Sequence, residues 1–211
     1  MKNSNQSIPP LHPSSPLHGG TRGGRQPIPR TWFLSHGYTK ADPRYTNGHA
    51  IWLHPETNDV YSAYGIITLS VVPYEKYLQK SAKYLKLPRH FGNMLLARLK
   101  YLTFKGEIKE GETIDHIDGN TFNNDIRNLR AIDKAINHRD GGFLRKLRNH
   151  GIDVAMYHPT FIIEGYERMA EWKKSHSEYR YENLDKNDLL RIFVGPTFSV
   201  IDPNILMEIE K

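Results

Sequence analysis

The stretch Thr113-Ile114-Asp115-His116-Ile117-Asp118-Gly119-Asn120 decides how this chain is read, together with Asn123-Asn124-Asp125-Ile126-Arg127-Asn128-Leu129-Arg130 and Ala131-Ile132-Asp133-Lys134-Ala135-Ile136-Asn137-His138-Arg139. Residues 112–118 mix apolar and polar side chains in alternation and run into Gly119-Asn120, a turn pair, which predicts a strand ending there. Leu129-Arg130-Ala131-Ile132 predicts a second strand. Asp133 has the short acceptor side chain of a helix N-cap, so helix is expected from Lys134 onward. The predicted order is strand, long polar loop, strand, helix.

Asp115 and His116 are neighbours, so an ideal strand sends them to opposite faces. Distortion at the strand end would let both reach one site. Asn137 falls about one turn into the predicted helix, at a position that can face the strands. A carboxylate and an amide are two hard oxygen donors, suited to Mg²⁺ or Mn²⁺ that keeps several waters. A neutral histidine beside them can take a proton from water. The set suits hydrolysis of a phosphodiester. Asn123 and Asn124 read as turn formers, as does Asp118 before Gly119. Glu164, Glu167 and Glu171 read as a solvated helix face.

At these residues the chain resembles the ββα-metal fold of HNH endonucleases, in the version common among phage and intron-encoded homing endonucleases. The resemblance rests on the Asp-His pair, the Asp-Gly-Asn turn, the Asn-rich loop into Asn-Leu-Arg, and a helix carrying an Asn. It implies one divalent cation, Mg²⁺ or Mn²⁺, bound by Asp115 and Asn137. It implies His116 as the base that activates water, and Asn128 as the residue that ties the loop and aims His116. The cation would act as Lewis acid and template on the scissile phosphate, and products would carry 5′-phosphate and 3′-hydroxyl ends. His138 is the alternative helix ligand, and the N-cap at Asp133 favours Asn137. Some HNH proteins carry a Cys-bound zinc; a chain without cysteine has no such structural zinc.

Outward from this segment, the 211 residues carry a formal charge of +6 with 38% apolar residues. The absence of cysteine excludes disulfides, Cys-based zinc fingers, iron–sulfur clusters and thiol nucleophiles. No apolar run approaches a membrane span and the N-terminus has no apolar signal region, so a cytoplasmic protein is expected, in the host cytoplasm if phage-encoded. The positive charge is concentrated. Residues 1–40 hold five basic and no acidic residues, and residues 74–105 hold eight basic residues against Glu75 alone. That distribution implies a DNA backbone as partner, contacted by Lys76, Lys80, Lys83, Arg98 and Lys100, with Arg127, Arg130 and Arg139 flanking the site.

The expected architecture is α+β. Residues 1–30, rich in Pro and Gly, read as a disordered basic tail. Residues 31–105 read as an α+β region that contacts DNA: a small antiparallel sheet over 50–72, a helix opened by Pro73 with Tyr74, Leu78, Ala82 and Leu85 on one stripe, and a second helix over 91–102. Residues 106–142 form the nuclease core. Residues 143–211 read as a small α+β region, with a short basic helix over 143–148 and strand-like pieces at 191–194 and 198–201. A DNA-binding accessory protein with a weak or inactive ββα frame is the alternative function, and an RNA-directed nuclease a third.

Overall fold

The computed structural model describes residues 26–73, 83–178 and 180–195. The first described part is built on aromatic packing. Helix α1 (Arg30–Ser35) leads into strands β1 (Thr39–Lys40), β2 (Ile51–Leu53), β3 (Val60–Ser62) and β4 (Gly65–Ile66), which form one antiparallel sheet in that order. Side chains alternate across β2, so the sheet has two clothed faces. On one face Phe33 stacks on Trp52, with ring centroids 4.5 Å apart, and Tyr38 and Tyr61 complete the cluster. On the other, Ile51, Leu53 and Val60 meet Leu87, Leu96 and Leu99. The expected tail extends to residue 30. Its residues 1–25 lie outside the described residues, and its end is held: Ile28 packs on the aromatic cluster, and its N–H donates to the Ala63 carbonyl at 2.6 Å.

Beyond the sheet the described ends of the expected helix are strands, and residues 74–82 between them lie outside the described residues. Strand β5 (Ser70–Pro73) pairs antiparallel with β6 (Lys83–Lys86), with Val71 opposite Leu85 and Val72 opposite Tyr84. The paired β-branched valines suit a pleated surface, and that pairing overrides the helical spacing of Leu85. Tyr74, Leu78 and Ala82 lie outside the described residues. The second expected helix starts late, as α2 (Leu96–Phe104), because Gly92 and Asn93 stand at φ +104° and +56° and break any helix begun at Phe91.

The segment quoted first forms as expected. Strands β7 (Glu112–His116) and β8 (Leu129–Asp133) pair antiparallel, with Asp115 opposite Arg130 and His116 opposite Leu129. The side chain of Asp133 accepts the Ala135 N–H at 2.7 Å and starts α3 (Lys134–Asn149). This helix runs unbroken through Gly141-Gly142, where a boundary was expected. Each glycine costs a helix about 1 kcal/mol relative to alanine. The stripe Asp140, Phe143, Leu144 and Leu147 buries continuously across them and outweighs that cost.

Helices α4 (Pro159–Ser175) and α5 (Lys186–Val194) pack with α3 around Ile162, Tyr166, Met169, Leu189 and Phe193. Residues 191–194, expected as strand, are the end of α5. Asp185 caps it by accepting the Asp188 N–H at 2.8 Å, and Leu189, Phe193 and Val194 are its buried residues. Residues 198–201 lie outside the described residues. Gly165 faces the Phe193 ring so closely that a Cβ there would collide with it. Among the described residues no helix is long and apolar enough to cross a membrane.

Candidate functional site

The loop that leaves β7 is pinned by its own side chains. Gly119 turns it at φ +67°, with Leu144 packed where a Cβ would stand. Asp118, 5% exposed, is the hub. Its carboxylate accepts the Asn120 N–H at 2.7 Å, the Asn128 amide at 2.9 Å and the Asn123 amide at 2.8 Å. Asn128 returns a bond, its Oδ1 accepting the Asp118 N–H at 3.0 Å, and its Nδ2 also donates to the Asn123 carbonyl at 2.9 Å. Asn128 thus ties the loop directly after His116, while the contact to the imidazole itself comes from elsewhere.

That contact is Asn124. His116 is 6% exposed, and its Nε2 lies 3.0 Å from Asn124 Oδ1. Asn124, expected as a turn former, is itself buried at 2%. The Phe122 carbonyl can only accept, and Nδ2 of Asn58 reaches it at 2.8 Å and Nδ2 of Asn124 at 3.4 Å. Asn124 Nδ2 also donates to Asn58 Oδ1 at 3.0 Å. Both amides are therefore oriented, and Asn124 Oδ1 must accept. His116 Nε2 then carries the proton, and Nδ1 keeps its lone pair in the neutral ring. Burial holds the imidazole below its ordinary pKa, against the opposing pull of the Asn124 bond and the charges of Asp115 and Asp118. Nothing in a short sequence window signals Asn58, which lies 58 residues before His116.

Asp115 takes the opposite face of β7. Its Oδ2 accepts from Arg130 Nε at 2.9 Å and forms an ion pair with Nη2, also at 2.9 Å. Arg130 Nη2 also donates to Asp140 at 2.7 Å, Asp140 accepts Arg139 Nε at 2.8 Å, and Arg139 pairs with Glu167 at 2.5 Å. Tyr166 closes the group from α4: Arg130 lies over its ring at 5.8 Å, and its hydroxyl donates to the Ile117 carbonyl at 3.1 Å. Burial raises the Asp115 pKa, more than Arg130 and His116 lower it. Asp115 and His116 thus feel each other's charge while pointing apart. Asp140 and Tyr166 were not expected at the site. They could not be, because the contacts join α3 and α4 to the strands only in three dimensions.

Asn137 lies three and seven residues before Asp140 and Leu144, on the face that α3 turns to the strands, whereas His138 is exposed. Among the described residues Asp115 Oδ1 and the Asn137 amide make no hydrogen bond, and no bond joins Asn137 to Asp115 or His116. No cluster of three His, Asp or Glu side chains suited to a metal occurs among them. A cation here would rest on one carboxylate oxygen, one amide oxygen and water, a donor set that fits a hard divalent ion.

The expected DNA contacts divide. Lys76 and Lys80 lie outside the described residues. Lys83 and Arg98 are exposed. Lys100 is not a surface group: it is fully buried, and its Nζ donates to the Thr57 carbonyl at 3.0 Å. Burial pushes its ammonium down to about 8. The helical periodicity of α2 places it beside Leu96 and Leu99. Arg130, its side chain 14% exposed, is held between two carboxylates and is not free to clamp a strand, and Arg139 is shared by Asp140 and Glu167. Arg127 remains 65% exposed beside Asp125.

Compared with known proteins, residues 96–139 match the family model of HNH endonucleases. The match spans α2, both strands of the β7–β8 hairpin, the loop between them and the start of α3 through Asn137. No curated protein matches the chain, and no solved structure does. Over residues 96–139, about a fifth of its length, the chain is thus similar to HNH endonucleases.

Proposed function

We propose that this chain is a divalent-metal-dependent endonuclease that hydrolyses phosphodiester bonds of duplex DNA, built on a ββα-metal core and of the phage or homing-endonuclease type. The observation that carries the reading is His116, fixed through Nε2 by Asn124 so that Nδ1 is left as a base, in a hairpin-and-helix segment matched to HNH endonucleases. Nδ1 removes a proton from water, the water oxygen bonds to phosphorus, and the bond from phosphorus to the 3′ oxygen breaks, that oxygen taking a proton from solvent water. The ends are a 5′-phosphate and a 3′-hydroxyl. HNH nucleases generally use a divalent metal, and Asp115 and Asn137 would hold it, supplying Lewis-acid stabilisation of charge on the phosphate and the leaving oxygen. Asn128 and Asp118 keep the loop from drifting off His116. Of the expected contacts, Lys83 and Arg98 are exposed, and Arg127 is exposed while paired with Asp125, so these three are placed to meet phosphates. Nicking of supercoiled plasmid in Mg²⁺ or Mn²⁺, abolished by EDTA, tests the reading. Cleavage that persists in EDTA overturns the metal role.

The pH dependence has a definite sign. Since burial lowers the His116 pKa, the neutral base survives below the ordinary imidazole value of about 6.5. The acid limb of kcat/KM therefore lies below that value. The unfolded chain takes up this proton first, so the same histidine costs stability as pH falls through 6.5 toward the folded value. Asn124→Asp places a carboxylate on Nε2–H, favours the imidazolium and moves the acid limb to higher pH. A pH–rate profile of both proteins checks this, and coincident limbs would contradict it.

Lys100 and Arg98 make a paired test of phosphate contact. Arg98→Ala lowers the salt slope of DNA binding by about 1, as expected for one lost phosphate contact. Lys100→Met leaves that slope unchanged, because the ammonium is buried on Thr57. It lowers stability instead by about 1–3 kcal/mol, the cost of an unsatisfied buried carbonyl.

A further inference from the structure

The base is not held by the HNH segment alone. The loop between β2 and β3, outside the family match, docks on the loop between β7 and β8 through three bonds and on α2 through a fourth. Asn58 Nδ2 donates to the Phe122 carbonyl, Asn124 Nδ2 to Asn58 Oδ1, the Ile126 N–H to the Pro55 carbonyl at 2.9 Å and Lys100 Nζ to the Thr57 carbonyl. Only one of these chains reaches the imidazole: Phe122 carbonyl, Asn58 amide, Asn124 amide, His116 Nε2.

We propose that Asn58 is a positioning residue for the base, which through Asn124 fixes the His116 tautomer and makes the N-terminal sheet a structural part of the active centre. The inference deepens the reading of His116 as general base and rests on it for its consequence in rate. Without the Asn58 acceptor, the Asn124 amide can rotate by half a turn and offer Nδ2 to the ring. Nε2 must then accept and Nδ1 carries the proton, so the ring presents an N–H to the water it should deprotonate. In a serine protease the wrong imidazole tautomer lowers kcat about 10⁴-fold. Here the amide is biased rather than locked out, and a loss of about 10-fold is expected, the low end for a residue one shell from the chemistry.

The test compares Asn58→Leu with Asn58→Asp in the full chain. Both lose the donor to the Phe122 carbonyl, but aspartate keeps an oxygen to accept from Asn124. Long-range ¹H–¹⁵N spectra of His116 read the tautomer without any activity. The expected result is the Nε2–H form in the wild type and Asn58→Asp, and a mixture in Asn58→Leu, with kcat down about 10-fold and KM for DNA unchanged. Asn58→Ala gives the same readout if leucine crowds the loop. In a double-mutant cycle, adding Asn58→Leu to Asn124→Leu costs nothing further. If the Leu and Asp variants behave alike, or Asn58→Leu keeps the wild-type tautomer, the relay is overturned. If the tautomer shifts but the wild type cuts no nucleic acid, the relay stands and the nuclease reading falls.

Discussion

His116→Ala is expected to abolish metal-dependent cleavage of plasmid DNA while DNA binding survives. A positioned base contributes about 10²–10⁴-fold to a proton transfer in the transition state. Among the described residues no second imidazole stands in for it: His138 is exposed on α3, and the other described histidines lie off the hairpin. The Asn124 amide would remain, but an amide takes no proton at neutral pH. The fold should tolerate the change, since the Asp118–Asn128 staple and the β7–β8 register do not pass through the ring. Single-turnover nicking assays with gel-shift binding on the same preparation separate the two effects. Near-wild-type cleavage would remove His116 from the role of base, and lost binding would make it a structural residue.

How far the sequence was legible depends on the range of the interaction. The hairpin, the Asp133 cap and the start of α3 rest on contacts a few residues apart, and the residue pattern carries them. The choice of Asn137 over His138 rests on helical phase once the cap is placed, and α3 leaves Asn137 half-buried and His138 exposed. The failures share a cause. Leu85 has helical spacing from Tyr74 but pairs with Val71, a partner fourteen residues away. Lys100 lies in a basic stretch, yet it turns inward to a carbonyl 43 residues distant. Arg130 and Arg139 read as phosphate clamps because their carboxylate partners come from strand, helix and α4 together. Asn124 reads as a turn former for the same reason: an asparagine in a polar loop is usually one, and burial against His116 and Asn58 is what distinguishes it. Local grammar points to the candidate site, and tertiary partners decide which of its charges are already engaged.

Asp140 is where that distinction has its largest consequence for stability. Its side chain is 2% exposed and bridges Arg130 and Arg139. In Asp140→Ala, among the described residues Arg130 stays buried with Asp115 as its only anion, and Arg139 keeps only Glu167, which is 55% exposed. Removing one partner of a buried ion pair costs about 3–5 kcal/mol, because the remaining charge loses compensation while water stays excluded. At roughly 2–4 °C per kcal/mol for a chain of this size, the melting temperature should fall by about 6–20 °C. Asp140→Asn keeps the shape and one acceptor and should lose less. The two variants also bear on the cation. Arg130 is shared between Asp115 and Asp140, so removing the Asp140 charge concentrates its guanidinium on Asp115, the carboxylate proposed to hold the metal. Higher Mg²⁺ should then be needed for half-maximal nicking in Asp140→Asn, with kcat at saturating metal little changed. A melting temperature within about 1 °C of wild type for Asp140→Ala would show the ion network to be energetically idle. An unchanged Mg²⁺ requirement in Asp140→Asn would show that Arg130 does not compete for Asp115.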